Sequence, residues 1–443
     1  MKSLKVLVLA VLMVLVAVPL ASAQVGAWSS SFNVVNMGTA DATVTVTFYT
    51  TAGVASTPNP LNGSQPNPFT LSGGESFEVY LPGIPSLADG TYSVVISADQ
   101  PIAAIANLIG DNTPIFFNGS YSGASDEGQV SMYMPAITKA YYGWNSHLSI
   151  QNLTATAMDV TVNFYAGTPT PVIAPTTQNV PAYASWHLDV GAIAGLPNDF
   201  NGSAVVSAGG AIAAIDNQTV DTGGLTQTYN GFPTGDTTLY CPAGYVGYYT
   251  WNGSYNVQNV GTTTTTVNIA FSDGVNDSYV LGPSAAHLFY HPDEAHASGS
   301  YFSGIITSAE PIVAIANAAN PTSQAQTYNC FSAGSTSFFA PIVEKNYYGW
   351  DSSVTVQNIG AVSTDVTITY NAQPGCSTTQ TVAAGGVYEF YQPSVACLAA
   401  GYGASATLTS TAADIVSIVN QTNGPSSGGT QGDWSMSYNG FGQ

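Results

Sequence analysis

The chain has 443 residues, with 4 Lys and Arg together, 25 Asp and Glu, and a formal net charge of −21. Such a shortage of cations argues against nucleic acid and against anionic lipid surfaces as partners, because both are bound through Lys and Arg. The acidic residues are spread singly and 45% of the residues are hydrophobic, which favours folded cores over a disordered acidic segment.

Residues 1–23 have the pattern of a secretory signal peptide. Lys2 and Lys5 form a basic start, residues 6–18 are continuously apolar, and Ala21 and Ala23 mark a small-residue cleavage site. We therefore expect a secreted protein that can associate with a cell surface. Its mature chain is expected to begin at Gln24. An uncleaved anchor is the alternative, but the apolar stretch is short for a membrane span. No later segment has membrane length, so we expect no membrane insertion after cleavage.

From Trp28 onward the chain repeats one pattern four times. Each copy has a Trp, an Asn eight residues later, an alternating apolar strand and a closing IAAIAN-like run. The copies begin at WSSSFNVVNMG (Trp28), WNSHLSIQNLT (Trp144), WNGSYNVQNVG (Trp251) and WDSSVTVQNIG (Trp350). A period of about 100 residues suits a whole small domain. We name the predicted units modules one to four: residues 24–127, 128–234, 235–334 and 335–443.

Each module contains about seven short runs rich in Val, Ile, Thr and aromatic residues. In module two these are a run ending at Pro135, then HLSIQN, VTVNFY, SWHLDV, GSAVVS, AIAAIDN and TQTYNGF. Gly, Pro, Asn and Asp separate the runs, and helical periodicity is missing after the signal peptide. The pattern predicts an all-β chain of four tandem immunoglobulin-like antiparallel β-sandwiches, with barrels as the alternative. Short joints between the copies predict an end-to-end rod.

The W-x-S-x-x-x-x-Q-N start, the V-T-V-x-F/Y strand and the Gly-Phe close resemble tandem immunoglobulin-like repeats of secreted and cell-surface bacterial proteins. The similarity covers essentially all of the mature chain. It implies an exported structural or adhesive role. The Cys–Trp–Cys arrangement of antibody domains is missing, since two of the modules contain no cysteine.

The four cysteines of an exported chain predict two disulfides. Cys241 opens module three and Cys330 closes it, while Cys376 and Cys397 both lie in module four. Pairing within modules therefore predicts Cys241–Cys330 and Cys376–Cys397. A redox or metal-binding pair is the alternative, but no CxxC spacing supports it.

Aromatic residues cluster at the Trp that begins each copy. Tyr pairs precede three of the Trp residues, and neighbouring strand residues point to opposite faces, so at least one ring in each pair is exposed or lies at a joint. The favoured interpretation is packing between modules. The alternative is a repeated platform for sugars, for which the candidate residues are Tyr142, Trp144, Tyr249, Trp251, Tyr348 and Trp350.

The remaining candidates for chemistry are weaker. His291, Asp293, Glu294 and His296 could bind Zn²⁺, but other modules fill this loop differently, so a solvated loop is the favoured interpretation. Nucleophile-elbow, HExxH and P-loop motifs are missing. We therefore expect neither an enzyme nor a cofactor or metal.

The sequence thus favours a secreted, non-catalytic structural protein that forms or decorates a cell surface, sheath or extracellular matrix. Its expected partners are copies of itself or other surface proteins. The alternative is a carbohydrate-binding adhesin, whose partners would be surface glycans. A secreted enzyme ranks third.

Overall fold

The computed structural model describes residues 7–11, 27–112, 115–125, 129–220, 224–320, 324–423 and 431–443. These residues form an all-β protein with several antiparallel sheets, which confirms the predicted class. The predicted cleavage site at residues 21–23 lies outside the described residues. Among the described helices, none has the length and apolar character needed to cross a bilayer.

The described residues up to Asn230 form seventeen strands and two short 3-10 helices, at Leu81–Gly83 and Val190–Ala192. Strand β1 (Leu7–Val11) lies in the predicted signal peptide, ahead of module one. The strands of module one are β2 (Ala27–Asn36), β3 (Ala42–Thr50), β4 (Ala55–Ser56), β5 (Phe69–Leu71), β6 (Ser76–Tyr80), β7 (Tyr92–Ala98), β8 (Ile102–Asn112), β9 (Ile115–Ser122) and β10 (Ala124–Ser125). Those of module two are β11 (Gln129–Lys139), β12 (Asn145–Asn152), β13 (Met158–Tyr165), β14 (Thr176–Val180), β15 (Ser185–Asp189), β16 (Phe200–Val220) and β17 (Leu225–Asn230).

The last two modules follow the same order, with 3-10 helices at His291–Asp293 and Gln392–Ser394. The strands of module three are β18 (Asp236–Tyr248), β19 (Trp251–Asn259), β20 (Thr265–Phe271), β21 (Asn276–Leu281), β22 (Ala286–Tyr290), β23 (Ser300–Asn320) and β24 (Gln324–Asn329). Those of module four are β25 (Ser337–Lys345), β26 (Trp350–Asn358), β27 (Thr364–Tyr370), β28 (Ser377–Val382), β29 (Val387–Tyr391), β30 (Tyr402–Ser410), β31 (Ile415–Asn423), β32 (Gln431–Gly432), β33 (Ser435–Asn439) and β34 (Phe441–Gly442).

Modules one and four each contain two sheets. The two sheets of module one have the strand orders β10-β1-β7-β3-β4, with β5 beside β3, and β32-β9-β8-β2-β6; β1 comes from the predicted signal peptide and β32 from module four. In module four the orders are β28-β27-β30-β25-β34 and β29-β26-β31-β33. In modules two and three the runs expected as two strands form one strand of 21 residues, β16 or β23. Each long strand pairs with different neighbours along its length, so seven strands join one sheet.

The alternating strand of each module has the predicted pattern of burial. In β13, Val160, Val162 and Phe164 are fully buried, whereas Thr161 and Asn163 are partly exposed. The same register recurs in β3, β20 and β27. Period-two burial of this kind places one face of each strand on its module's core.

The Asn that follows each Trp by eight residues has a structural role. Asn152 is fully buried, and its amide nitrogen donates to the carbonyl of Thr156 at 2.7 Å while its oxygen accepts the N–H of Thr154 at 2.8 Å. Asn36, Asn259 and Asn358 make the equivalent bonds. These side chains therefore stabilise the turn before the alternating strand.

Both disulfides are present as predicted. Cys241 and Cys330 are bonded, with Cα atoms 4.7 Å apart, and join the first strand of module three to the end of its last. Cys376 and Cys397 are bonded, with Cα atoms 5.4 Å apart, within module four.

The modules exchange apolar side chains around a closed ring. Ile215 of module two packs in the core of module one, Ile315 of module three in that of module two, and Ile418 of module four in that of module three. Ile105 of module one completes the cycle in the core of module four. All four are buried in a neighbouring module because strand residues alternate between faces: in module one, Ile102 and Ala104 face the module's own core.

Two sets of hydrogen bonds follow the same ring. A buried Ser hydroxyl of each module donates to a backbone carbonyl of the next: Ser93 to Tyr183, Ser203 to Ser284, Ser303 to Gly385, and Ser405 to Gly74. The last bond joins module four to module one. Four strands, β9, β17, β24 and β33, meet at the centre, each contacting the next in cyclic order; we call them the closing strands. Amides of Asn230, Asn329 and Asn439 link them.

The expected end-to-end rod is therefore wrong. A rod would separate modules one and four, whereas Ile105, Ser405 and the closing strands join them. The physical reason is that the IAAIAN-like run is apolar on both faces, and its second face has to be covered by a neighbour.

Asp433 lies where the closing strands meet. Its carboxylate accepts backbone N–H groups of Thr226 at 2.9 Å, Ala325 at 3.1 Å and Ser435 at 3.0 Å, from modules two, three and four. Its backbone carbonyl accepts the side-chain amide of Asn118 from module one. Asp433 is fully buried, and burial raises the pKa of its carboxyl well above the usual value. One residue thus bonds to all four modules, to modules two, three and four through its carboxylate and to module one through its backbone carbonyl.

Replacing Ile105 by Ala should lower the free energy of unfolding by about 2–4 kcal/mol, because it leaves a cavity in the core of module four. The interface between modules four and one is the one that no chain connection crosses, so this loss should also favour opening of the ring there. Urea unfolding followed by tryptophan fluorescence measures the effect. Val54→Ala, at a 63% exposed position, is the control. Equal effects of the two substitutions would show that Ile105 is not buried between modules.

Candidate ligand-binding cleft between modules two and three

A cleft of about 560 Å³ opens between modules two and three. Module two contributes the turn between β11 and β12, and module three contributes β19 and the end of β22. Four aromatic rings line the cleft: Tyr141, Tyr142, Trp144 and Tyr290. Six amide side chains also line it: Asn201, Gln218, Gln227, Asn252, Asn256 and Asn317. Of the described residues lining the cleft, Asp293 alone carries a charged side chain.

The turn that carries Tyr142 projects its ring outward. Tyr141 and Trp144 exchange backbone hydrogen bonds of 3.2 and 2.9 Å across two residues, Tyr142 with φ 47° and Gly143 with φ 87°. Positive φ at both positions is typical of the hairpin turn usually made by Asn-Gly. A Tyr is disfavoured there because its Cβ crowds the backbone. Tyr142 is nevertheless 85% exposed, so burial of this residue does not offset the cost.

Buried hydrogen bonds fix the position of Gln218, one of the amide side chains that line the cleft. The side-chain amide of Gln218 donates to the carbonyl of Ala136 at 2.7 Å and to the Asp216 carboxyl at 3.1 Å. The Ser146 hydroxyl also donates to Asp216, at 2.8 Å. Asp216 is fully buried, and burial raises the pKa of its carboxyl from 3.8 to about 7, with the hydrogen bonds of Ser146 and Gln218 acting in the opposite direction.

Small residues leave this interface open. Thr138 and Asn201 line the cleft, and the corresponding positions at the interface of modules three and four carry Tyr245 and Tyr301. Those two rings stack with centroids 5.4 Å apart, and Tyr248 stacks on Tyr301 at 5.2 Å. The Tyr301 hydroxyl donates to Thr355 of module four at 3.0 Å. Three tyrosines thus fill the space that is open between modules two and three.

The interface of modules four and one is closed differently. Gly403 stands where Asn201 stands in module two, and the Tyr347 ring covers it so closely that a Cβ on Gly403 would lie 2.5 Å from the ring. Glu344 replaces Thr138 and is fully buried, accepting hydrogen bonds from Ser352 at 3.0 Å and Gln421 at 2.9 Å. Burial raises the pKa of its carboxyl from 4.5 to about 7.

The structure separates the six aromatic candidates of the sequence. It brings Tyr142 and Trp144 together in the cleft. Tyr249 and Tyr348 are 81% and 85% exposed on equivalent turns, while Trp251 packs near Tyr245 and Trp350 near Trp434. Sequence reasoning missed Tyr290 and the six amides, which reach the cleft from two modules. The sequence did contain one signal for the cleft: module two has Thr138 and Asn201 at the positions where module three has Tyr245 and Tyr301.

The histidine-containing loop of module three is packed, whereas a solvated loop was expected. The buried ring of His291 lies edge-on to Tyr255, with centroids 4.5 Å apart. His296 lies between Asp273 at 2.7 Å and Glu294 at 2.8 Å, and its own side chain is inaccessible to solvent. Within the described ranges, His, Cys, Asp and Glu side chains form no group of three or more that could hold a metal ion.

Comparison with known proteins adds little to this geometry. No protein-family model and no curated protein sequence matches the chain. The crystal structure described as Thermotoga maritima 1070 is 18% identical with a TM-score of 0.20, covering 22% of this chain and 94% of that one. A tetra-tandem repeat from the extending region of a large adhesion protein is 13% identical with a TM-score of 0.11, covering 95% and 96%. Similarities this low carry no functional argument.

Proposed function

We propose that this is a secreted, non-catalytic adhesion protein of a cell surface, sheath or extracellular matrix, which binds a neutral saccharide in the cleft between modules two and three. We also propose that each module is an immunoglobulin-like β-sandwich. The observation that carries the functional proposal is the composition of the cleft, which four aromatic rings and six amide side chains line together.

Each part of the cleft suits a sugar. The C–H face of a pyranose is apolar and stacks on aromatic rings such as Tyr142 and Trp144, whose polar edges remain solvated. Amide groups donate and accept hydrogen bonds, and so can serve hydroxyl groups that do both. With Asp293 as the charged group among the described lining residues, the cleft offers an anionic ligand no positive partner. A volume of about 560 Å³ lies within the range of small-ligand sites.

Replacing Tyr142 by Ala should weaken binding of a neutral oligosaccharide about tenfold, which corresponds to roughly 1.4 kcal/mol for an aromatic contact residue. Asn201→Tyr should abolish binding, because it places in the cleft the ring that Tyr301 places at the next interface. A glycan array identifies the ligand, and titration calorimetry gives the dissociation constants.

Tyr249→Ala is the matched control, since it changes the equivalent turn beside a filled interface, and it should bind like the parent. The proposal fails if no neutral glycan is retained, or if Tyr249→Ala weakens binding as much as Tyr142→Ala does.

A purely structural role is the second candidate. It is favoured by the continuous bonding around the ring, which leaves hydroxyl-rich outer surfaces able to pack on other copies with little desolvation of charge. Electron microscopy separates the two candidates. Filaments or lateral assemblies that form equally well with Asn201→Tyr would support the structural role.

A further inference from the structure

The first strand of modules two to four has a constant place. It pairs antiparallel with the strand that carries the ring-linking Ser, as shown by the partners Met132–Val206, Leu239–Ile306 and Phe338–Leu408. Its other edge receives the closing Phe of the same module, through Tyr133–Phe232, Tyr240–Phe331 and Phe339–Phe441. The inward residues of these first strands, such as Met134, Leu239 and Phe338, are buried.

In module one this place is taken by residues of the predicted signal peptide. Strand β1 pairs antiparallel with β7, where Leu9 faces Ile96 and Val11 faces Val94. Its other edge pairs with β10, where Ala10 faces Ala124. Both relations are those of the first strand in the other modules. Leu7–Val11 is thus the first strand of module one.

The mature chain predicted by the signal peptide cannot supply this strand. The first strands begin 15 residues before Trp144, 15 before Trp251 and 13 before Trp350, at Gln129, Asp236 and Ser337. Gln24 lies only four residues before Trp28. Removal of residues 1–23 therefore leaves β7 with an unpaired edge along Val94 and Ile96, both of which are fully buried in the described structure.

An edge of this kind is unfavourable in water. The backbone N–H and C=O groups that face β1 lose their partners. Unpaired sheet edges bind extended segments of other chains by adding a strand, with affinity from the backbone hydrogen bonds and specificity from alternate side chains.

We propose that β7 of the exported protein is a strand-accepting site, which an extended, apolar segment of a partner protein completes in the antiparallel register of β1. The inference rests on the predicted removal of residues 1–23 and is independent of saccharide binding. The other modules define the segment: apolar residues at alternate positions, as at Met132 and Met134 in β11. A second copy of this chain is a poorer donor, because the corresponding strands β11, β18 and β25 are already paired within their own modules.

The test begins with the mass of the protein exported from a bacterium that expresses residues 1–443. We expect the chain to start at Gln24, and retention of residues 7–11 would overturn the proposal. The exported chain is then titrated with a synthetic peptide of the β11 sequence, Gln129–Lys139. We expect one-to-one binding and slower hydrogen exchange of the β7 amides. A peptide with Asp in place of Met132 and Met134 should bind at least tenfold more weakly.

Three further results would overturn the proposal: full exchange protection of β7 before any peptide is added, equal binding of the two peptides, or a dimer of the exported chain closed through β7. If module one of the exported chain is unfolded, a chain with residues 129–139 fused ahead of Gln24 by a flexible linker should restore its folding. Failure of the fused chain to do so would also count against the proposal. Tyr142→Ala should leave peptide binding unchanged, which separates this test from that of the saccharide site.

Discussion

Replacing Asp433 by Ala should lower the free energy of unfolding by about 3–5 kcal/mol. The substitution leaves the buried N–H groups of Thr226, Ala325 and Ser435 without their acceptor, and each unsatisfied buried donor costs about 1–3 kcal/mol. Because these donors belong to three modules, the loss should affect the whole ring and not module four alone. Thermal unfolding by calorimetry, with hydrogen exchange of β17 and β24, measures both effects.

Asp414→Ala removes an exposed carboxyl from the same module and is the control; it should change stability by less than about 0.5 kcal/mol. Loss of protection confined to β33 in Asp433→Ala would contradict a role for this carboxylate in joining three modules.

The double variant Asp216→Asn, Glu344→Gln tests two buried carboxyls. The free energy of unfolding of the parent, measured relative to that of the double variant, should fall as pH rises from 5 to 8. Burial raises the pKa of both carboxyls to about 7, so between their ordinary values and pH 7 the folded state holds protons that the unfolded state has released. A raised folded-state pKa means that the stabilisation is complete below the unfolded-state pKa and is lost as pH passes through the folded-state value. Each group should contribute about 2–4 kcal/mol to this loss.

Asn and Gln keep an oxygen to accept the bonds from Ser146 and Gln218 and from Ser352 and Gln421, but they do not ionise. Buried histidines act in the opposite direction: burial lowers the pKa of His187 to about 4 and that of His291 to about 3. Their contribution is common to both proteins and cancels in the comparison. Urea unfolding at each pH gives the difference, and identical pH profiles would mean that neither carboxyl is protonated in the folded protein.

Local patterns predicted local structure well. The alternation of Val160, Val162 and Phe164 predicted one buried face, and cysteine position predicted both disulfides. The rod was wrong because the apolar run from Ile102 to Ala106 was taken as one strand of one core. A strand that covers one core needs one apolar face, whereas this run has two. The second apolar face indicates that a neighbouring module packs against it.

The cleft could be predicted only in part. Tyr142 and Trp144 stood out because aromatic residues cluster at one turn, but the floor and opposite wall come from strands far apart in sequence. Whether the interface is open depends on the volumes of residues 138 and 201 against a surface of module three. A linear sequence does not state which surfaces meet until the ring is known.

The closed ring of unlike modules also bears on how such a site can arise. In a cyclic assembly of identical subunits, every substitution appears at all interfaces at once. Here each interface is encoded separately, so one can change while the others keep the ring intact. Stacked tyrosines fill the interface of modules three and four, and the Tyr347 ring covers Gly403 between modules four and one. Because these interfaces are filled, the interface between modules two and three can hold a cavity while the ring stays closed. The loss of stability from that cavity occurs once here, whereas a symmetric tetramer would incur it four times.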